Sequence, residues 1–139
     1  MLSIDSIEKG VVIDHIKAGT AMEIYQYLNL RKLDCSIAII KNVRSAKLGK
    51  KDIIKIEDRI DLDLDVLGYM DPNATVNIIE DGAITSKLKL SLPDRLVNII
   101  KCKNPRCITS VEQGITQIFT VCDRDKKIYR CIYCEQEHN

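Results

Sequence analysis

Apolar residues in the first ninety positions follow strand-like and helix-like patterns in turn. Runs rich in Val and Ile, bounded by glycine or charged residues, are typical of half-buried strands. Met22, Tyr25 and Leu28 recur instead at spacings of three. Ala21 and Ile24 lie beside them, which indicates an amphipathic helix. Strands are predicted at residues 10–16, 35–43, 52–57, 74–80 and 83–90, helices at 18–30 and 61–70, and a polar, basic loop at 44–51.

The order of these elements is β-α-β-β-α-β with a fifth strand added. This is the ferredoxin-like arrangement of the α+β class, one antiparallel sheet with two helices on one face, in which the first and third strands are central neighbours. Asp81-Gly82 is a typical hairpin turn between the last two strands. The proline-containing segment 92–95 then marks a joint. We therefore expect a first domain at residues 1–92 and a second at 93–139.

Four of the six cysteines form two pairs in the last third of the chain. Cys102 and Cys107 are separated by four residues, Cys131 and Cys134 by two, and 23 residues lie between the pairs. Four thiolates at such spacing can surround one ion, and zinc suits four sulfur ligands with no open position. One structural Zn²⁺ per chain is therefore predicted, in a small all-β domain with strands near residues 115–122 and 127–132. Two disulfides or four unrelated core thiols are the alternatives.

Charge and targeting signals narrow the class of protein. The chain has 21 basic and 20 acidic residues, a net charge of +1, whereas a dedicated nucleic-acid binder usually carries a clear basic excess. Neither a signal peptide nor an apolar run of about 18 residues is visible, so a cytoplasmic protein that does not cross a membrane is expected. The remaining cysteines, Cys35 and Cys122, are predicted to be small buried apolar residues.

The sequence contains no nucleophile elbow, phosphate loop or HExxH motif. Apart from the cysteines, the residues that could form a ligand-binding site lie in the predicted sheet. Asp14 and His15 end the first strand, and Lys55 lies on the third. Since these strands are neighbours, the residues could form a site for a phosphorylated small molecule, with Lys51 and Lys87 nearby. A solvated charged face is the alternative.

Several runs, taken together with the cysteines, resemble the regulatory chain of aspartate carbamoyltransferase. They are GVVIDHI at 10–16, GKKDIIKIE at 49–57, ATVN at 74–77 and SLPDR at 91–95. The likeness extends almost end to end, and that family shares the unusual four-residue spacing of the first cysteine pair. It implies a non-catalytic subunit whose first domain binds nucleotide effectors, with CTP inhibiting, ATP activating and UTP a further candidate. It also implies a regulatory homodimer whose zinc domain contacts the catalytic chain, controlling an early step of pyrimidine biosynthesis.

The resemblance assigns effector-site roles to polar and apolar residues of the first domain. The polar ones are Asp5, Asp14, His15, Lys51, Lys55, Asn77 and Lys87. The apolar ones are Ile4, Ile7, Ile53, Ile79 and Ile84. In the second domain it assigns catalytic-chain contacts to Asn104, Arg106 and Glu135.

This chain departs from the family pattern at several of these positions. Gly82 stands where a tyrosine lining the base pocket is expected, and loss of that ring removes stacking worth about 1 kcal/mol. Asp5 and Ser6 replace Glu and Ala, and Arg106 replaces Asn. Two other interpretations stay open at the sequence level. One is a zinc-ribbon nucleic-acid-binding module, and the other is a stand-alone small-molecule sensor without a catalytic partner.

Overall fold

The computed structural model describes residues 7–46 and 49–138. The chain divides after Ser91 into two compact units, each with its own sheet. Within those described residues, every helix is too short or too polar to cross a membrane.

The first unit contains five strands, which are β1 Gly10–Lys17, β2 Ile37–Ser45, β3 Gly49–Ile56, β4 Thr75–Glu80 and β5 Ala83–Lys89. They form one sheet in the order β2-β3-β1-β4-β5, and every pairing is antiparallel. The first and third strands are neighbours, so the predicted ferredoxin-like arrangement with a fifth strand is confirmed. A two-residue turn joins the last two strands.

Two short helices pack on one face of this sheet. Helix α1 spans Ala21–Tyr27 and helix α2 spans Leu64–Met70. The carboxylate of Asp63 accepts hydrogen bonds from the backbone N–H groups of Asp65 and Val66, which caps α2 at its first turn. Burial of a large aliphatic side chain contributes about 1.5–3 kcal/mol, and the shared core supplies several. Its fully buried members include Ile13, Ile16, Ile24, Ile54, Ile56 and Leu67.

The first helix is shorter than the sequence pattern predicts. Asn29 adopts a left-handed conformation with φ of 57°, so the α-helix cannot continue, and a 3₁₀ turn follows at Leu30–Lys32. The buried face is Ala21 and Ile24, whereas Met22 is 43% exposed. The three-residue spacing thus identified the helix but placed one member of its apolar face wrongly.

The predicted basic loop at 44–51 is largely strand. Arg44 pairs with Lys50 and Val43 with Lys51, so β2 and β3 extend to within a few residues of each other. Backbone pairing does not require apolar side chains. Where both faces of a strand pair are polar, the sequence does not show the alternation of apolar and polar residues that indicates a strand. Residues 47 and 48 lie outside the described part of the chain.

The second unit contains β6 Arg95–Val97, the short helix α3 Ile108–Val111, β7 Ile118–Asp123, β8 Ile128–Cys131 and β9 Glu137–His138. Its strands form an antiparallel sheet in the order β6-β7-β8-β9. Its small core is formed around Leu96, Phe119 and Tyr129, and the predicted small all-β fold with a cysteine cluster is confirmed.

The two cysteines outside the cluster have different environments. Cys35 is half-buried and packs against the first core, close to the prediction. Cys122 is exposed, so the prediction of a buried residue there is wrong. It lies on β7, where alternate side chains point to solvent, and the apolar run around it did not reveal which face it occupies.

Candidate functional site

One row of side chains crosses four strands on the sheet face opposite the helices. Lys55 pairs with Val12, Val12 with Asn77, and Asn77 with Lys87. Directly opposed residues of antiparallel strands point to the same face. The adjacent row, which includes Ile13, lies in the core beneath the helices, so the first row faces away from them. The fold therefore aligns three of the predicted effector residues, Lys55, Asn77 and Lys87.

Asn77 is the unusual member of this row. It is only 7% exposed, and its Oδ1 is a buried acceptor for which no hydrogen-bond partner exists among the described residues. Most buried polar atoms in folded proteins are satisfied, and an unpaired one costs about 1–3 kcal/mol. An acceptor left in this state, in a row with Lys55 and Lys87, is suited to a ligand that donates a hydrogen bond.

Asp14, His15 and Lys51 meet at an irregularity near the end of β1. The β1–β3 register shifts between Ile13 and Ile16, and His15 takes a φ of 56° there. The Lys51 ammonium lies 2.9 Å from Asp14 Oδ1, which also accepts a 2.6 Å hydrogen bond from the His15 backbone N–H. Burial acts to raise the pKa of Asp14, but these hydrogen bonds and the charges of Lys51 and His15 outweigh it and hold the pKa below its ordinary value.

The His15 ring is oriented by a residue that sequence analysis missed. Its Nδ1 lies 3.1 Å from Thr75 Oγ1, on the strand paired with β1. His15 also borders a cleft of about 760 Å³, which Lys17, Lys50 and Asn73 line as well. The β1–β4 register places Thr75 opposite Asp14, next to His15. The contact between His15 and Thr75 could therefore have been found only once that register was known.

The apolar residues predicted for the site have varied exposure. Ile53 on β3 and Ile79 on β4 are half-buried, as is Ile7 just before β1. Ile84 on β5 is 57% exposed and pairs with Ile79. The predicted residues Ile4 and Asp5 lie outside the described residues, together with Ser6.

Gly82 has a local reason for being glycine. It lies in the β4–β5 turn with φ of 75°, and its N–H donates a 2.9 Å hydrogen bond to the Glu8 carbonyl. Asp81 also has positive φ, at 51°. A tyrosine would be strained in this turn, because a side chain disfavours that backbone region.

The four clustered cysteine sulfurs lie within 4.8 Å of one another. Cys102 Sγ is 3.6 Å from Cys134 Sγ, and Cys107 Sγ is 3.7 Å from Cys131 Sγ. A disulfide requires about 2.05 Å, so these are four free thiols and the disulfide interpretation is wrong. Four sulfur donors in one small volume form a site for a soft metal ion.

The protein environment favours ionisation of some of these thiols more than others. Burial raises the pKa of Cys102 to about 12 and also raises that of Cys131. A hydrogen bond from Thr109 lowers the pKa of Cys107 to about 7. Burial acts to raise the pKa of Cys134, but hydrogen bonds from the Gln136 backbone and the Asn104 side chain outweigh it. Metal binding therefore has to displace protons from part of the cluster.

Two residues around the cluster hold its ligands in place. The Thr109 hydroxyl donates to Cys107 Sγ over 3.2 Å, a contact that sequence analysis missed. The Asn104 carbonyl accepts from the Cys107 N–H at 3.1 Å and from the Ser110 hydroxyl at 2.8 Å. Asn104 thus shapes the loop between the first two ligands, whatever it contacts outside the chain.

The residues predicted to face a partner lie beside the cysteines. Arg106 and Glu135 are exposed and Asn104 is half-buried, with its Oδ1 accepting from the Arg106 N–H at 3.0 Å. Large apolar side chains near the ligands are also exposed, namely Ile108, Val111, Ile132 and Tyr133. Exposed apolar side chains of this size are typical of interaction surfaces.

Comparison with known proteins identifies the family. Residues 2–91 match the model described as aspartate carbamoyltransferase regulatory chain, allosteric domain. Residues 94–139 match the model described as the metal binding domain of the same chain. These matches confirm the resemblance and the prediction of a regulatory rather than a catalytic chain.

Full-length relatives agree with the family models. The chain is 53% identical to a protein of Clostridium tetani over 137 residues, covering 98% of this chain and 95% of the relative. It is 54% identical to one of Clostridium acetobutylicum, covering 98% and 93%, and 43% identical to one of Bifidobacterium longum, covering 98% of each. All three are named aspartate carbamoyltransferase regulatory chain. The chain therefore belongs to the family of aspartate carbamoyltransferase regulatory chains.

Proposed function

We propose that the first unit binds nucleotide effectors and that the second transmits their binding to the catalytic chain of aspartate carbamoyltransferase. CTP inhibits and ATP activates in this proposal, and UTP is a further candidate ligand. The chain acts as a regulatory homodimer in the cytoplasm, in the de novo synthesis of pyrimidines.

The observation that carries the proposal is the row formed by Lys55, Asn77 and Lys87. Asn77 Oδ1 is a buried acceptor that lacks a partner in the described chain; Lys87 lies directly opposite it on β5, and Lys55 lies two strands away in the same row. Lysine ammonium groups suit phosphate oxygens, and Asn77 can accept from a ribose hydroxyl or a base amine. The combination of a cationic surface and an unsatisfied neutral acceptor favours a nucleotide over a simple anion.

A second cationic group at the end of β1 suits the distal phosphates. Lys51 and His15 both adjoin Asp14, whose carboxylate holds Lys51 in place at 2.9 Å. The backbone of β1 joins this group to the Asn77 row through Val12. A triphosphate extending along the strand could therefore contact both groups.

The sulfur cluster suits zinc in size as well as in donor type. Zinc–sulfur bonds of about 2.3 Å in a tetrahedron give sulfur–sulfur distances of about 3.8 Å. The separations of 3.6 Å and 3.7 Å are close to this value. Cys102, Cys107, Cys131 and Cys134 would hold one Zn²⁺, which would act as a structural cross-link because all four positions come from protein.

The loops between the ligands provide the proposed surface for the catalytic chain. Asn104 and Arg106 lie in the first of these loops and Glu135 directly follows the last ligand, with exposed apolar side chains such as Val111 and Tyr133 nearby. Effector control would then be a linkage effect. A nucleotide that prefers one state of the assembly shifts its population, typically through a coupling of about 1–3 kcal/mol.

Calorimetry tests the binding half of the proposal. CTP and ATP should bind the zinc-loaded chain with a stoichiometry near one, whereas a mixed-sequence oligonucleotide should not. The reverse pattern would favour the nucleic-acid-binding module. Capture of tagged chain from native extract tests the other half, because recovery without a carbamoyltransferase chain would favour a stand-alone sensor.

A further inference from the structure

Asp52 is a carboxylate with no solvent exposure in the middle of the first unit. Its Oδ2 accepts hydrogen bonds from the backbone N–H groups of Gly19 at 2.9 Å and Ala21 at 3.2 Å. Its Oδ1 accepts from the Asn42 N–H at 3.0 Å. A buried charge is tolerated only when it is well hydrogen-bonded, and here three backbone donors serve one side chain.

These donors belong to three different elements. Gly19 lies in the turn after β1, Ala21 is the first residue of α1, and Asn42 lies on β2 with a φ of 60°. The β2–β3 register shifts between Ile40 and Val43, at Asn42. One carboxylate on β3 therefore joins a bulge on β2 to the turn that starts α1.

The same residue adjoins the irregularity that contains Asp14 and His15. Beyond the shift in the β1–β3 register, pairing resumes at Ile16 opposite Asp52. The preceding residue, Lys51, points to the opposite sheet face and bonds to Asp14 at 2.9 Å. Since strand side chains alternate, fixing Asp52 on the core side also fixes Lys51 on the other.

We propose that Asp52 is a positioning residue for the phosphate end of the nucleotide site. It does not contact the ligand, because its side chain is fully enclosed on the helix side. By anchoring the β2 bulge and the turn after β1, on either side of the β1 irregularity, it sets the positions of Lys51 and His15. Through Ala21 it connects that end of the site to α1. This inference rests on the proposed nucleotide-binding function.

The test compares ligands with and without the distal phosphates. Asp52→Asn should weaken CTP binding about tenfold, since the amide nitrogen cannot accept the backbone hydrogen bonds, while CMP binding changes less than twofold. A variant that only loosens the fold would weaken both alike. Ile24→Val, a core change in α1, is the matched control for lost thermal stability, and it should leave the CTP-to-CMP ratio unchanged.

A measurement on the unmodified chain covers the case in which Asp52→Asn fails to fold. Saturating CTP should slow hydrogen exchange at the Gly19, Ala21 and Asn42 amides at least threefold, and CMP should not. Equal loss of CTP and CMP binding in the variant, or unchanged exchange in the wild type, would overturn the role of Asp52. If wild-type chain bound neither nucleotide, the proposed function itself would fail, and that outcome is distinct from the others.

Discussion

Lys51 Nζ lies 2.9 Å from Asp14 Oδ1, and the two side chains are only 16% and 20% exposed. The pair joins β3 to the irregular end of β1, where the effector site is proposed. The ammonium is thus held in place before any ligand arrives, which lowers the entropy cost of organising it around a phosphate.

The Asp14 pair should make the stability of the first unit depend on acid pH. Its folded pKa lies below the ordinary value of 3.8, so its contribution is present above that pH and is lost as pH falls through the folded pKa. Urea unfolding of wild type and Asp14→Asn should differ most near pH 6, and the difference should shrink as the pH falls below 3.8 and through the lower folded pKa. A difference that stayed constant with pH would contradict this assignment.

Lys55 and Lys87 should both be needed for nucleotide binding. Truncation of either to alanine removes a charge-assisted hydrogen bond of about 1.5–3 kcal/mol, which corresponds to a loss of roughly 10- to 100-fold in affinity for CTP. Lys32→Ala is the matched control, because Lys32 lies in the 3₁₀ turn rather than in the sheet. Calorimetry on the three variants would show whether the loss is confined to the sheet lysines.

Asn77→Leu should separate ligand binding from stability. Without nucleotide the variant should be at least as stable as wild type, since it removes a buried acceptor that has no partner within the described residues. Its affinity for CTP and ATP should fall at least tenfold. Thermal melts with and without CTP give both quantities. A large drop in the unliganded melting temperature would show that Asn77 is instead a structural residue.

Metal removal should unfold the second unit alone. A chelator should strip zinc and unfold the chain after about residue 95, while the first sheet keeps its own core of residues such as Ile13 and Ile54. Proteolysis followed by mass measurement would map the protected fragment. Thiol reagent should modify the four cluster cysteines only after chelation, and full modification beforehand would argue against a metal cross-link.

Sequence reasoning predicted strand order well because the signals were local and repeated. Five β-branched runs and two amphipathic segments admit few antiparallel arrangements, and the cysteine spacing identified the cluster directly. The length of α1 and the strand character of residues 44–51 depended instead on single backbone conformations, such as that of Asn29, and on pairing between polar residues. Neither a single backbone conformation nor pairing between polar residues produces a hydrophobic pattern in the sequence.

The details of the candidate site were less accessible from the sequence. The contacts of Thr75 and Asp52 connect segments distant in sequence, so they appear only when the strand register is known. The contact of Thr109 with Cys107 is local, but it depends on side-chain orientation at the start of α3. The unsatisfied state of Asn77 Oδ1 is likewise a property of packing. The presence of an asparagine at position 77 does not by itself predict this unsatisfied state.

The most direct test is an aspartate saturation curve of the holoenzyme reconstituted from this chain and its catalytic partner. CTP should shift the curve to higher aspartate, ATP should shift it to lower aspartate, and the Lys55→Ala and Lys87→Ala chains should abolish both shifts while still assembling. A curve that neither nucleotide moves, in a holoenzyme shown to be fully assembled, would contradict the proposal that this chain is a nucleotide-responsive regulator.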